Sequence, residues 1–330
     1  MREKRILVTG ASRGIGKATA FALLEAGHQV ILHARSRESL APAYAEATGR
    51  FGARAEEEIA DLSDLAKVES MCRRLEADGR GLDVLVNNAG MVTHELGYSA
   101  QGIEIQFAVN HLAGFYLANR LLPLLAAATS KPASATGDQA ADGLRAPGRI
   151  LQVSSIAHGF IKEVDFTVSE VGRLATKRTD PYDHRYHYYR SKLANVLFVT
   201  EWARRISSTH VTANALHPGI VRTRLSKAYM KNPVFRFFEA MIATTPEKAC
   251  ATSVHLAGAE SVEGITGAFF KASEGAPIKG LGTDEAPAGL LWETSLSCLP
   301  SEMRGQLAQA RATYERITGA SDEGKGAGNA

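Results

Sequence analysis

The first 32 residues restrict the fold of this chain more than any other stretch. Arg5-Ile6-Leu7-Val8-Thr9-Gly10 is a short apolar run ending in glycine. Ala11-Ser12-Arg13-Gly14-Ile15-Gly16 follows, then a helical pattern from Lys17 to Ala26, a stop at Gly27 and a second apolar run, Gln29-Val30-Ile31-Leu32. Strand, glycine turn, helix and strand make a βαβ unit. Glycines let the backbone turn tightly and approach a pyrophosphate, and the free N–H groups and dipole of a helix start favour its negative charge. Here the glycines fall at Gly10, Gly14 and Gly16, a departure from the common G-x-G-x-x-G spacing. Strands keep alternating with helical patterns to about residue 271 and no composition break marks a second domain. The expectation is one α/β domain over residues 1–318: a Rossmann-type, doubly wound, mainly parallel sheet.

The second strand carries a cofactor signal. Folds that bind NAD place an acid about 20 residues past the glycine turn, on the ribose 2′-hydroxyl. Here Ala34, Arg35, Ser36 and Arg37 come first, and no acid appears until Glu38. Arginines can bind a 2′-phosphate through charge-assisted hydrogen bonds, and Arg13 inside the glycine turn adds a cation. This favours NADP(H) over NAD(H). A solvated basic turn is the plainer alternative.

Tyr188 and Lys192 stand four residues apart in Tyr188-Tyr189-Arg190-Ser191-Lys192, and the run that follows, Leu193 to Phe198, reads as helix. On a helix such a pair shares one face. Free tyrosine titrates near about 10 and free lysine near about 10.4. An ammonium beside a phenol stabilises the phenolate, so the expectation is a lowered Tyr188 pKa and a usable general acid. Alone, this pair is common on surface helices.

In sequence order these features resemble the short-chain dehydrogenase/reductase family, over about residues 4–295. Thr9-Gly10-x-x-x-Gly14-Ile15-Gly16 looks like its cofactor turn, Asp61-Leu62 like its adenine contact, and Leu82-Asp83-Val84-Leu85-Val86-Asn87-Asn88-Ala89-Gly90 like its fourth strand and following turn. Asn110 matches the family's helix asparagine, Ser155 its serine, and Tyr188 with Lys192 its Tyr-x-x-x-Lys pair. His217-Pro218-Gly219-Ile220-Val221-Arg222-Thr223 is similar to its nicotinamide-carboxamide loop. Val109 to Phe115, Ser154 to His158, Ser191 to Phe198 and Leu291-Trp292-Glu293 carry a closer likeness to the retinol dehydrogenase-like branch.

The resemblance implies hydride transfer between nicotinamide C4 and a carbonyl or alcohol carbon. Tyr188 exchanges the proton, Ser155 hydrogen-bonds the reacting oxygen, Lys192 tunes Tyr188 and binds the nicotinamide ribose, and Asn110 holds a water leading to solvent. It assigns cofactor contacts to Gly10, Ser12, Arg13, Gly14, Ile15, Gly16, Arg35, Asp61, Leu62, Asn88, Ala89, Gly90, Tyr188, Lys192, Pro218, Gly219, Ile220 and Thr223. Ser154 and Ser155 point to opposite faces of a strand, and the family pattern favours the second. His94, His111 and His158 are candidates for the substrate pocket, although a structural side chain is the weightier reading for each. Two other readings stay open: a C=C reductase of the same family, and a catalytically silent NADP-binding sensor. The intact set of four argues against the sensor.

The rest of the chain bounds the partners. A net charge of +3, with basic residues scattered, does not argue for nucleic acid. Cys72, Cys250 and Cys298 lack metal-ligand spacing and suggest free thiols in a reducing compartment. The first strand starts within a few residues of Met1, and no stretch approaches the ~20 apolar residues that span a bilayer. The expectation is a cytoplasmic enzyme without a transmembrane anchor, no metal, and a partly apolar carbonyl or alcohol as substrate. The family implies a homodimer or homotetramer. Two insertions stand out: Ala126 to Pro147, expected to be an exposed loop, and Gly159 to His187, either a substrate wall or an inert surface excursion. Val234 to Ile242 resembles a substrate lid, Thr245-Pro246-Glu247 reads as a helix start, and residues 319–330 as a disordered tail.

Overall fold

In the computed structural model, residues 2–130, 146–171, 182–206, 210–219 and 244–320 are described. Strands β1 (Arg5–Val8), β2 (Gln29–Ala34), β3 (Ala55–Ile59), β4 (Val84–Asn87), β5 (Gly148–Val153), β6 (Val211–His217), β7 (Phe269–Lys271) and β8 (Glu274–Ala276) form one sheet in the order β3-β2-β1-β4-β5-β6-β7-β8. Neighbours pair in parallel except β7 and β8. The chain winds outward from β1 to β3, then returns to lay β4 against β1. That reversal opens a crevice at the carboxyl ends of β1 and β4, where doubly wound sheets bind ligands.

The sheet is buried on both faces, and its apolar residues divide by alternation. Leu7, Ile31, Leu85, Ile150 and Ala213 join one core, while Ile6, Val8, Val30, Val84, Val86 and Leu151 join the other. The second core is closed by α1 (Gly14–Glu25) and α2 (Arg37–Phe51), with Phe21 edge-on to Phe51 at 6.0 Å. It is also closed by α10 (Ala251–Gly258), which follows the short α9 (Pro246–Ala249). Thr245 and Pro246 start α9 as the sequence predicts.

The first core lies under α3 (Leu65–Ala77), the short α4 (Ile105–Phe107), a π-helical turn (Ala108–Leu112), α5 (Ala113–Arg120), α6 (Leu122–Ser130), α7 (Val168–Val171) and α8 (His184–Arg205). Two C-terminal helices, α11 (Glu285–Ser297) and α12 (Ser301–Thr318), pack across α5, α6 and α8. Trp292 lies parallel to Phe198 at 5.9 Å and edge-on to Phe115 at 5.1 Å. The Arg205 guanidinium sits 4.9 Å from the Trp292 ring. The Leu291-Trp292-Glu293 motif is thus a packing anchor for the helices behind the site.

Two sequence expectations change here. The loop expected from Ala126 starts later, because α6 continues to Ser130 and Ala126 is fully buried. An alanine-rich stretch is a good helix former as well as a loop composition, and the apolar floor beneath it decides. The insertion at 159–187 is no inert excursion where it is described. Phe166 and Val171 are fully buried, the Glu104 N–H donates to the Val171 carbonyl at 2.9 Å, and His184 to His187 already belong to α8. Residues 131–145 and 172–181 of the two insertions, the lid segment Val234–Ile242 and residues 321–330 of the tail lie outside the described residues. Among the described residues no helix is long and apolar enough to cross a membrane and no metal-holding group occurs. The three cysteines are buried and unpaired.

Candidate active site

The glycine turn is built by backbone geometry. Gly10 and Gly14 have φ of +69° and +59°, in the region glycine favours. A Cβ on Gly16 would stand 2.3 Å from the Gly10 carbonyl oxygen and 2.4 Å from Asn88 Nδ2, so only glycine fits. Arg13 stands at the N-cap of α1 with no side-chain capping bond, and the first turn holds no acid. The helix therefore presents uncapped N–H groups to the crevice, which suits an anionic group. Ser12 and Ile15 are half-buried beside it and Arg13 is exposed.

Thr9 joins this turn to the next one. Its hydroxyl accepts from the N–H groups of Asn88 (2.9 Å) and Ala89 (3.0 Å), and Asn88 Nδ2 donates to its carbonyl at 2.8 Å. His33 supports the turn from β2. Its Nδ1 accepts from the Gly10 N–H at 3.3 Å, its Nε2 lies 3.0 Å from the Ala60 carbonyl, and the His33 carbonyl accepts from the Ala11 N–H at 2.8 Å. Those partners place the ring proton on Nε2. Burial lowers the His33 pKa to about 4. Sequence reasoning missed this residue. The available signal was a histidine closing an otherwise apolar strand.

Along the same edge, Arg35 is exposed and makes no ion pair among the described residues, whereas Arg37 pairs with Glu57 at 2.9 Å. Asp61 is half-buried and shapes its own turn, accepting from Ser63 N–H (3.0 Å) and Oγ (2.7 Å), while Leu62 is buried. Pro218 and Gly219 (φ +92°) follow β6, and Ile220 and Thr223 lie outside the described residues.

Two of the expected catalytic side chains, Asn110 and Lys192, meet next to Gly90. A Cβ there would lie 3.3 Å from Asn110 Oδ1 and 3.5 Å from Lys192 Nζ. Asn110 sits in the π-helical turn, a distortion frequent at functional sites. Its Oδ1 accepts from the Met91 N–H at 2.7 Å. Its Nδ2 donates to the Met91 carbonyl (2.9 Å) and to Ser191 Oγ (3.0 Å), which in turn donates to the Tyr188 carbonyl at 2.7 Å. Both amide protons are committed within the protein. The side chain thus fixes this corner, and an expected water would meet it at Oδ1, which keeps a second lone pair. Ser191, three residues after Tyr188 on α8, was also missed as part of the site.

The two serines separate as their strand alternation requires. Ser154 Oγ is buried and donates to the Lys192 carbonyl at 2.7 Å. Ser155 is half-buried and follows β5 in extended conformation, and its Oγ accepts from Ala157 N–H at 3.2 Å. It hydrogen-bonds Tyr188, which draws the Tyr188 pKa down, but burial dominates and pushes it up to about 12. The expected lowering of Tyr188 by Lys192 is therefore not what the protein by itself produces. The ammonium donates to the Val153 carbonyl at 2.8 Å and lies 5.7 Å from the Tyr188 ring centre. Desolvation also lowers Lys192 to about 8. Buried, each group resists its charged form.

The three histidines do not line one pocket. His94 is exposed and stacks near His184 at 4.2 Å. His111 is buried between Asn195 Oδ1 (3.3 Å) and Ser295 Oγ (3.0 Å). His158 is buried against Phe269.

This geometry has close relatives. A family model described as short chain dehydrogenase matches residues 4–164. Retinol dehydrogenase 14 of Mus musculus is 34% identical over 311 residues, covering 89% of this chain and 85% of its own length. Retinol dehydrogenase 13 of the same species is 34% identical over 299 residues, covering 88% and 82%. Among solved structures, the Pseudomonas aeruginosa RhlG/NADP active-site complex superposes with a TM-score of 0.60 at 27% identity, covering 81% of this chain and 94% of that one. With the sheet order, the glycine turn and the Asn110, Ser155, Tyr188 and Lys192 cluster, these matches establish that the chain belongs to the short-chain dehydrogenase/reductase family, in its retinol dehydrogenase-like branch.

Proposed function

We propose that this oxidoreductase interconverts a carbonyl and an alcohol by direct hydride transfer with NADP(H), Tyr188 giving or taking the proton. The observation that carries the reading is the Ser155–Tyr188 hydrogen bond, with Lys192 Nζ 5.7 Å from the Tyr188 ring centre and Lys192 and Asn110 together beside Gly90. The residues present fit the cofactor. The turn from Gly10 to Gly16 would hold the pyrophosphate, Asp61 and Leu62 the adenine, Arg35 and Arg13 the 2′-phosphate, Asn88 to Gly90 the adjoining ribose, and Pro218, Gly219, Ile220 and Thr223 the carboxamide. Bound there, NADP(H) supplies or accepts the hydride.

Ser155 Oγ accepts from Ala157 N–H and shares a hydrogen bond with Tyr188, so the two hydroxyls would meet on one substrate oxygen. Tyr188, held near about 12, is a neutral phenol at physiological pH. That is the acid form, the one carbonyl reduction consumes. Lys192, near about 8, is still mostly cationic at neutral pH and would bind the nicotinamide ribose. The exposed Ile156 and Phe160 lie on the 3-10 helix that follows Ser155, and Phe160 meets Tyr189 edge-on at 5.3 Å. These favour a substrate that is partly apolar. The buried, unpaired cysteines suit a reducing compartment such as the cytoplasm.

The test is NADPH oxidation by purified protein across a panel of aldehydes and ketones, retinal included, with NADH in parallel. Turnover that prefers NADPH is expected, and tight NADPH binding with no carbonyl consumed counts against the reading. Arg35→Ala should reduce the NADPH/NADH preference by about tenfold or more, the scale of a lost charge-assisted bond. An unchanged ratio removes Arg35 from the phosphate site. Gly16→Ala should weaken NADPH binding by at least about tenfold, roughly 1.4 kcal/mol, since the added Cβ collides with the turn itself. Titration of NADPH fluorescence measures both variants.

A further inference from the structure

His158 uses both ring nitrogens, and both bonds bear on Ser155. Nδ1 lies 2.7 Å from the Ser155 carbonyl oxygen, which also accepts from the His158 N–H at 3.2 Å. Nε2 accepts from the Lys279 N–H at 3.2 Å. A backbone amide can only donate and a carbonyl can only accept, so the neutral ring must carry its proton on Nδ1. The ring is 1% exposed and stands edge-on to Phe269, 4.7 Å between centres. Lys279 belongs to the loop after β8, and the ring thus ties the Ser155 peptide to a segment more than a hundred residues away.

Ser155 needs such a support. It stands past the end of β5 as the N-cap of a short 3-10 helix, Ile156–Phe160, where the strand ladder no longer fixes its peptide plane. Its carbonyl is held by His158 alone among the described residues, and twisting that peptide would carry Oγ away from Tyr188. We propose that His158 is a positioning residue for Ser155: its Nδ1–H fixes the Ser155 carbonyl, and the loop at Lys279 fixes His158. The ring touches no reacting atom. This inference rests on the carbonyl/alcohol oxidoreductase reading.

Two amide variants separate the two bonds. In His158→Asn the amide nitrogen takes the place of Nδ1 and keeps the bond to the Ser155 carbonyl. In His158→Gln the amide reaches to the place of Nε2 and keeps the contact with Lys279, leaving the Ser155 carbonyl only the bond from the backbone N–H at position 158. Both lose the ring packing on Phe269, so both should melt below the wild type by similar amounts. Steady-state kinetics with NADPH and a carbonyl substrate should find kcat of His158→Asn within about threefold of wild type. His158→Gln should fall by about tenfold or more, because small displacements of a reacting group cost that much. The KM for NADPH should stay unchanged in both. Equal losses in the two variants, or a Gln variant as active as wild type, would overturn the positioning role alone. A wild-type chain that reduces no carbonyl removes the oxidoreductase reading together with it.

Discussion

Tyr188→Phe should lower kcat for carbonyl reduction by about 10²–10⁴, the usual contribution of a positioned general acid. NADPH affinity should stay within about twofold, because the change deletes one oxygen and leaves the ring, its Lys192 contact and the α8 backbone in place. Among the described residues the site offers no second phenol in that place, since Tyr189 meets Phe160 edge-on. Steady-state kinetics and a melting curve on the same preparation separate lost chemistry from lost fold. A variant with intact turnover would mean the proton comes from elsewhere.

Stability should fall steeply as pH drops from about 6.5 toward 4. His33 and His217 are held near about 4, and His111 and His187 near about 3, with burial the largest cause in each. In the unfolded chain these rings titrate near about 6.5. Below that pH the unfolded state binds protons that the native state refuses, so native stability is lost as pH falls through the window. Each ring contributes up to about 1.4 kcal/mol per pH unit, or about 2 kcal/mol by pH 5. Four such groups weigh heavily against a total of about 5–15 kcal/mol. Glu69, which Arg73, Tyr116 and Arg120 hold below the usual carboxylate range despite its burial, adds to the loss further down. Melting temperature followed from pH 8 to pH 4.5 should be level above about 6.5 and drop below it. A level profile to pH 5 would show that these rings accept protons without unfolding the chain.

The legible parts of this molecule were those that local chemistry dictates. A glycine turn between strand and helix must look much the same wherever a backbone approaches a phosphate. Gly10, Gly14 and Gly16 could therefore be read as a turn, and a doubly wound, mainly parallel sheet followed from the strand and helix alternation. Tyr188 and Lys192 share a helix face by spacing alone. What spacing cannot carry is burial, and burial reversed the expected shift of Tyr188: the lysine charge is directed to Val153 O while the phenol is desolvated. The same limit hid partners distant in sequence. Ser154 is turned away by a carbonyl on α8, His33 props a turn on the neighbouring strand, and His158 joins Ser155 to the loop after β8. The loop expected at Ala126 failed for a related reason, since an alanine-rich run folds as helix once an apolar floor lies beneath it.

The most direct measurement is the fate of the hydride. NADPH deuterated at the transferable C4 position would be incubated with the protein and a carbonyl substrate that also carries a conjugated C=C bond, and the product read by mass spectrometry and NMR. The account predicts an alcohol with deuterium on the former carbonyl carbon, formed by wild type and lost in Tyr188→Phe. Deuterium on an alkene carbon, or its absence from any product while NADPH binds tightly, would contradict it.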